Sequence, residues 1–370
     1  MKIISQTPIN IEKQEELDIA KGLAVLFMIC AHVLEVLANN STQNHPIYWI
    51  IMLLATVPAA PVFMIAMGVG SVYSRNQKAS SAMKRGFILL IMAYLLNTFR
   101  GFLPALVGLH TGRMILETIP YENPLMLLLE TDILHLAAIT FMFFGFLRIL
   151  KLKWYWYPII GTIFSIIFSF IHPVSTDNEV WNALLGIMWA NGDTSYFPFF
   201  NWLFYPLIGV ALGNLLIRCT NKKSFYKRIL LLSGAGLIMS LVTLVLIQIL
   251  APNGQVIDAY EYVYYHHKIT GNLFIGSISL AWLSLIFFIR NAFGGFLKKI
   301  LLNWSKNLTT MYVIHWVTIG VLIFFFGYYS LNIVQCVIIM PLLIIFTDRM
   351  AAAYKKVVNS NIVTKHKQEI

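Results

Sequence analysis

Among the ionisable side chains inside the long apolar runs of this chain are His32, Glu35, Asp132, His135 and His315. Holding an ionisable group in hydrocarbon costs several kcal/mol unless it has a partner or a water-filled cavity, so each is a candidate functional residue. Imidazole titrates near neutrality, and it can take a proton from an attacking hydroxyl or amine and return one to a leaving group. That is the proton traffic of acyl transfer, and His32 is the candidate catalytic base. A carboxylate can orient such a ring and stabilise the imidazolium. Asp132 is the preferred partner because it falls at the depth of His32, with Glu35, one helical turn along from His32, as the second choice. With His135, His315 and Glu35 as substrate contacts, the five form a polar column through an apolar bundle.

The elements that must carry these residues are membrane helices. Of 370 residues, 58% are hydrophobic and 12% charged, and mean hydropathy is +0.73, more apolar surface than a soluble core hides. Runs near the ~20 residues needed to cross ~30 Å of hydrocarbon recur ten times. They cover 17–37, 48–73, 87–107, 127–147, 154–171, 199–217, 229–250, 273–289, 308–326 and 331–346. The helical rise puts His32 about 22 Å from the cytoplasmic boundary, Asp132 and His135 roughly 8 to 12 Å below the outer one, and His315 at ~10 Å depth on the cytoplasmic side. The expected fold is an all-α polytopic membrane protein of about ten transmembrane helices.

A net charge of +11 could indicate nucleic acid, but the basic residues lie in the connections that one topology places inside. Of the 27 Lys and Arg, only Arg100, Arg113 and Lys268 count as outside, so the positive-inside rule sets both termini in the cytoplasm. Acidic residues such as Glu117, Glu122, Asp177, Glu179, Asp193, Asp258 and Glu261 fall outside. No nucleic-acid partner is expected. The organisation is a cytoplasmic tail over 1–16, one membrane domain over 17–346 and a basic cytoplasmic tail over 347–370. The first span follows a polar tail and lacks a cleavage site, so it reads as a retained helix. Cys30, Cys219 and Cys336 have no paired spacing, and neither a disulfide framework nor a metal site is expected.

Three outer connections are long, 108–126, 172–198 and 251–272, and carry Trp181, Trp189, Tyr196, Tyr260, Tyr262, Tyr264 and Tyr265. These aromatics suit anchoring at the interface or stacking on a ligand. Met114 to Ile119 could lie flat as an interfacial helix, and Pro58, Pro61 and Pro206 predict kinks. His266 and His267 read as a solvated or acceptor-binding surface. At the inner mouth, Lys21, Lys84 and Arg85 are cations that could hold phosphates.

Asp18-x-x-Lys21-Gly22-Leu23-Ala24, with His32 eleven residues after the lysine, resembles the first-helix signature of the transmembrane acyltransferase superfamily. That signature is Asp-x-x-Arg-Gly, a hydrophobic run, then His, shared by family 3 acyltransferases and heparan-alpha-glucosaminide N-acetyltransferase-like proteins. Asp132-Ile133-Leu134-His135-Leu136, Phe197-Pro198-Phe199-Phe200-Asn201-Trp202 with Gly209 and Gly213, and Asn307-Leu308-Thr309-Thr310-Met311-Tyr312 through His315 look like the latter branch. The resemblance implies an enzyme that moves an acyl group, usually acetyl, from cytosolic acyl-CoA to an acceptor on the far side. A glycan or small amino sugar is the implied acceptor, in a prokaryotic plasma membrane, with surrounding lipid as a partner. A homodimer is also implied, since these enzymes often pair. By position His32 is the family's catalytic histidine. Lys21 replaces the signature arginine, keeping the charge without the planar fork. The alternative from the residues alone is a transporter with an intramembrane His and Asp site, although no repeated halves are present.

Overall fold

The computed structural model describes residues 3–170, 176–189, 192–250 and 264–368, with the side chains of Val57, Ile247, Gln248, Leu250 and 359–370 left aside. Tyr260, Tyr262, Asp258 and Glu261 lie outside the described residues. Every regular element among the described residues is helical, and only three isolated β-bridges occur. Each of the ten apolar runs becomes a helix. These are α1 (Glu15–Leu37), α2 (Pro46–Tyr73), α3 (Ala79–His110), α4 (Ile133–Ile149), α5 (Trp156–Phe170), α6 (Phe199–Leu216), α7 (Lys222–Leu250), α8 (Ile269–Ile289), α9 (Leu308–Phe326) and α10 (Ile333–Gln368). Eight are long and apolar enough to cross a membrane, whereas α4 with 17 residues and α5 with 15 are shorter. The chain is an all-α polytopic membrane protein.

Helix ends alternate between two ends of the bundle. At the basic end the N-terminal segment is not a loose tail: Ser5 and Ile9 donate to the carbonyls of Arg218 and Ile217, and Ile4 bridges Cys219. At the opposite end the last turn of α1 meets the start of α10, where Ala38 bridges Leu331. α10 continues unbroken past Phe346, so the basic segment 347–370 begins as more of the same helix.

Two close approaches build the site. A Cβ on Gly22 would collide with the carbonyl of Leu301, so α1 lies directly on the connecting helix Gly295–Lys306. This helix brings Ser305 to within 2.8 Å of Asp18 and sets Lys306 and Asn307 beside Lys21. A Cβ on Gly320 would likewise strike the carbonyls of Phe99 and Arg100, so α9 rests on the π-helical turn Thr98–Phe102 within α3. Such turns interrupt a helix and re-aim one side chain, here Arg100.

The interfacial helix expected near Met114 does not form. Leu116–Thr118 is a single 3₁₀ turn, and Met114 and Ile119 are buried while Ile115 and Leu116 face out, so the stretch folds back onto the bundle.

Candidate active site

His32 sits in the last third of α1, and its nearest polar partner is His315 of α9, with Nδ1 of His32 2.8 Å from Nε2 of His315. Nδ1 of His315 lies 3.0 Å from the Met311 carbonyl, which can only accept. The tautomers follow from these partners: His315 carries its proton on Nδ1 and offers Nε2 as acceptor, and His32 donates from Nδ1. Nε2 of His32 is then the free lone pair. No residue among those described bonds to it, and the ring stacks on Trp316 at 4.2 Å. An imidazole oriented by a second group, with its other nitrogen open, has the form of a general base.

The expected bond between His32 and Asp132 is absent, because Asp132 is otherwise engaged. Its carboxylate accepts from Arg100 at 2.6 Å, from the Tyr312 hydroxyl, and from its own helix at the Ile133 amide, where it caps α4. Arg100 also pairs with Glu130 at 2.8 Å and lies over Trp316 at 4.5 Å. Counted as outside from the sequence, Arg100 is only 5% exposed, with two carboxylates to compensate its burial. One side of Trp316 therefore takes the guanidinium and another the imidazole of His32.

His135, expected as a substrate contact, lines none of the cavities described below. Its Nδ1 accepts from the Asp132 amide at 3.2 Å, closing a capping box at the start of α4. His315, also expected as a substrate contact, is fully buried, lines none of these cavities and meets His32. Glu35 does face open space, held by the Tyr265 hydroxyl at 3.0 Å.

Three cavities lie in file along the bundle. One at the basic end, of about 370 Å³, is lined by Lys21, Arg85, Lys306, Asn307 and Thr310 among others. Lys21 is steadied there by Asp18 at 2.7 Å, and Lys84 is not part of the wall. Phe63, Ile133 and Tyr312 are shared with a narrow middle cavity of about 40 Å³ that contains His32, Glu35 and Asp132. His32, Glu35, Asp132, Phe197 and Tyr265 in turn are shared with an opposite cavity of about 220 Å³, walled by Arg100, Glu130, Tyr196 and Tyr329. His32 stands where the last two meet.

His266 and His267 are not a solvated surface. Nε2 of His266 meets the Ser195 carbonyl, and His267, 5% exposed, meets the Tyr264 carbonyl through Nδ1 at 2.5 Å and both the Tyr205 hydroxyl and Asn272 Oδ1 through Nε2 at 2.8 Å. Burial pushes both imidazoles below the ordinary histidine range, His267 to about 4. They anchor the strap that presents Tyr264 and Tyr265 to the cavities. Tyr264 also donates to the Thr56 carbonyl, close to Pro58 and Pro61 within the continuous helix α2. Trp181 is exposed, as an interfacial anchor should be.

Arg100, Glu130, Trp316 and Lys306 were not singled out by sequence as site residues. Arg100 could have been, since it falls inside an apolar run of its own. Among the described residues, no group of three His, Cys, Asp or Glu side chains is placed to hold a metal.

The family model described as heparan-alpha-glucosaminide N-acetyltransferase, catalytic, matches residues 13–222. This chain belongs to that family. No curated protein matches it in sequence. The matched stretch of this transmembrane acetyltransferase-family chain contains His32, Arg100, Glu130 and Asp132, whereas His315 and Trp316 lie beyond it.

Proposed function

We propose that the protein transfers an acyl group, acetyl in the first instance, from cytosolic acyl-CoA to a hydroxyl or amine of an extracytoplasmic glycan or small acceptor. The observation that carries this reading is the unpartnered Nε2 of His32 where the file of cavities narrows. Acyl-CoA supplies an activated thioester. Lys21, Arg85 and Lys306 fit its phosphates, because these cations share one cavity wall without a lining carboxylate, and the wall continues to His32 through Tyr312. Nε2 of His32 takes the proton of the attacking hydroxyl or amine, and the dyad with His315 holds the ring still as it becomes charged. The same nitrogen returns that proton to the leaving sulfur. Glu35, Tyr196 and Tyr329 offer the acceptor carboxylate and hydroxyl contacts and aromatic faces.

In this reading both termini are cytoplasmic, 17–346 is the catalytic membrane domain, and the setting is a prokaryotic plasma membrane. The test is the full chain in liposomes given radiolabelled acetyl-CoA on the cytoplasmic side together with a panel of amino sugars and glycans. Labelled acceptor is expected with the unaltered chain and not with His32→Ala. Equal labelling by His32→Ala would overturn the assignment.

A further inference from the structure

A fourth cavity, of about 400 Å³, opens at the basic end and touches the file only through Ser71, which it shares with the cavity of Lys21 and Arg85. Its wall contains Arg148 from the end of α4, Arg218 just beyond α6, and Trp154, Tyr157, Gln77 and Asn214. No Asp or Glu lines it. Three cations at this end are paired, Lys21 with Asp18, Lys222 with Glu16 and Lys298 with Glu15. Neither Arg148 nor Arg218 has a carboxylate partner among the described residues. Arg148 makes one bond, to the Ser71 carbonyl at 3.3 Å, and the Nε of Arg218 is buried with no partner at all. A buried, unsatisfied guanidinium N–H is costly, and one that borders open space beside a second arginine favours a ligand with several anionic oxygens.

The surroundings narrow the class of ligand. Beside Trp154 the chain turns into α5, and Tyr155 just before it and Trp156, Ile159 and Ile163 within it are exposed. Aromatic residues at a helix end followed by an outward apolar ridge are the pattern of a bilayer interface. An amphiphile could set its headgroup among the arginines and lay its tails along that ridge. We propose that this cavity is a headgroup site for an anionic phospholipid, with the phosphodiester held between Arg148 and Arg218. The site does not depend on the catalytic reading, and its loss leaves His32 untouched.

The test uses the full-length chain in detergent, with bound lipid followed by native mass spectrometry for phosphatidylglycerol and phosphatidylcholine of identical acyl chains. Phosphatidylglycerol is expected to bind about tenfold more tightly, the scale of one charge-assisted contact. Arg148→Gln/Arg218→Gln, eluting as a single species on size exclusion, should lose that preference, and Lys299→Gln on the exposed surface should keep it. A competition arm on the unaltered chain decides the matter even if the double variant does not fold. There, inorganic phosphate and coenzyme A at the lipid's concentration should leave phosphatidylglycerol bound. The proposal is overturned if the unaltered chain shows no headgroup preference or if the preference survives the double substitution. Displacement by coenzyme A overturns it too, assigning the arginines to a nucleotide phosphate.

Discussion

In the proposed reaction the chemistry turns on a single nitrogen, Nε2 of His32, and on the partner that leaves it free. If His315 fixes the tautomer, His315→Ala should lower kcat by about 10²- to 10⁴-fold, the usual worth of a positioned acid–base group, with KM for both substrates little changed. Initial rates of label transfer measure this, and an unaltered kcat would show that the dyad is only packing. Arg100 makes a different prediction. Arg100→Gln strips the counter-charge from Glu130 and Asp132 inside the bundle, so it should destabilise the protein by about 3 to 5 kcal/mol in thermal unfolding. Arg100→Lys should recover only part, because a point charge cannot bridge both carboxylates as the fork does. At this scale the sequence singled out His32 and Lys21, whose spacing lies within one helix. It did not disclose the partner of His32. Counting depth favoured Asp132 and set His315 nearer the cytoplasm, yet the packing of α4 and α9, which such counting does not encode, turns Asp132 toward Arg100 and brings His315 against the His32 ring.

The elements explain why that rotation is fixed. Ten apolar runs were legible because the length of a membrane crossing is set by hydrocarbon thickness, and each became a helix. The π-helical turn at Thr98–Phe102 was not legible, since it is imposed by α9 pressing on it at Gly320. Nor was the fate of His266 and His267, adjacent histidines that look solvated until the strap is seen folded under Tyr205 and Asn272. Burial keeps His267 near a pKa of 4, with Asn272 and the Tyr264 carbonyl partly opposing the shift and His266 adding to it. The unfolded chain, at about 6.5, takes up this proton first. Stability from the strap is therefore complete above pH ~6.5 and is lost as pH falls toward 4. Thermal unfolding between pH 7 and pH 4.5 should show a declining Tm, with a shallower decline in His267→Asn. At the other end, Gly22→Val should push Gly295–Lys306 off α1 and raise KM for acyl-CoA more than it lowers kcat, because Lys306 moves while His32 does not.

Across the whole molecule, the arrangement resolves a conflict between two requirements. In the proposed reaction a thioester held by cations at the basic end and an acceptor at the opposite end must meet, yet an open pore between them would leak. The middle cavity, about 40 Å³ against about 370 Å³ and about 220 Å³ on either side, is where the two requirements balance. Ala31, Ala55, Ala59 and Ala60 line it, small side chains that leave room beside His32 without adding polar groups. Ala60 belongs to the middle wall alone, so it separates passage from binding. Ala60→Phe should fill the constriction at an overpacking cost of about 1 to 3 kcal/mol, small enough for the bundle to stay folded. Both end cavities keep their walls, so acyl-CoA is expected to protect this variant and the unaltered chain alike from thermal unfolding. Label transfer should nevertheless fall by well over tenfold, whereas Ala60→Gly should transfer normally. Wild-type transfer by a folded Ala60→Phe would mean that the acyl group reaches its acceptor by another route, and that His32 is not where donor and acceptor meet.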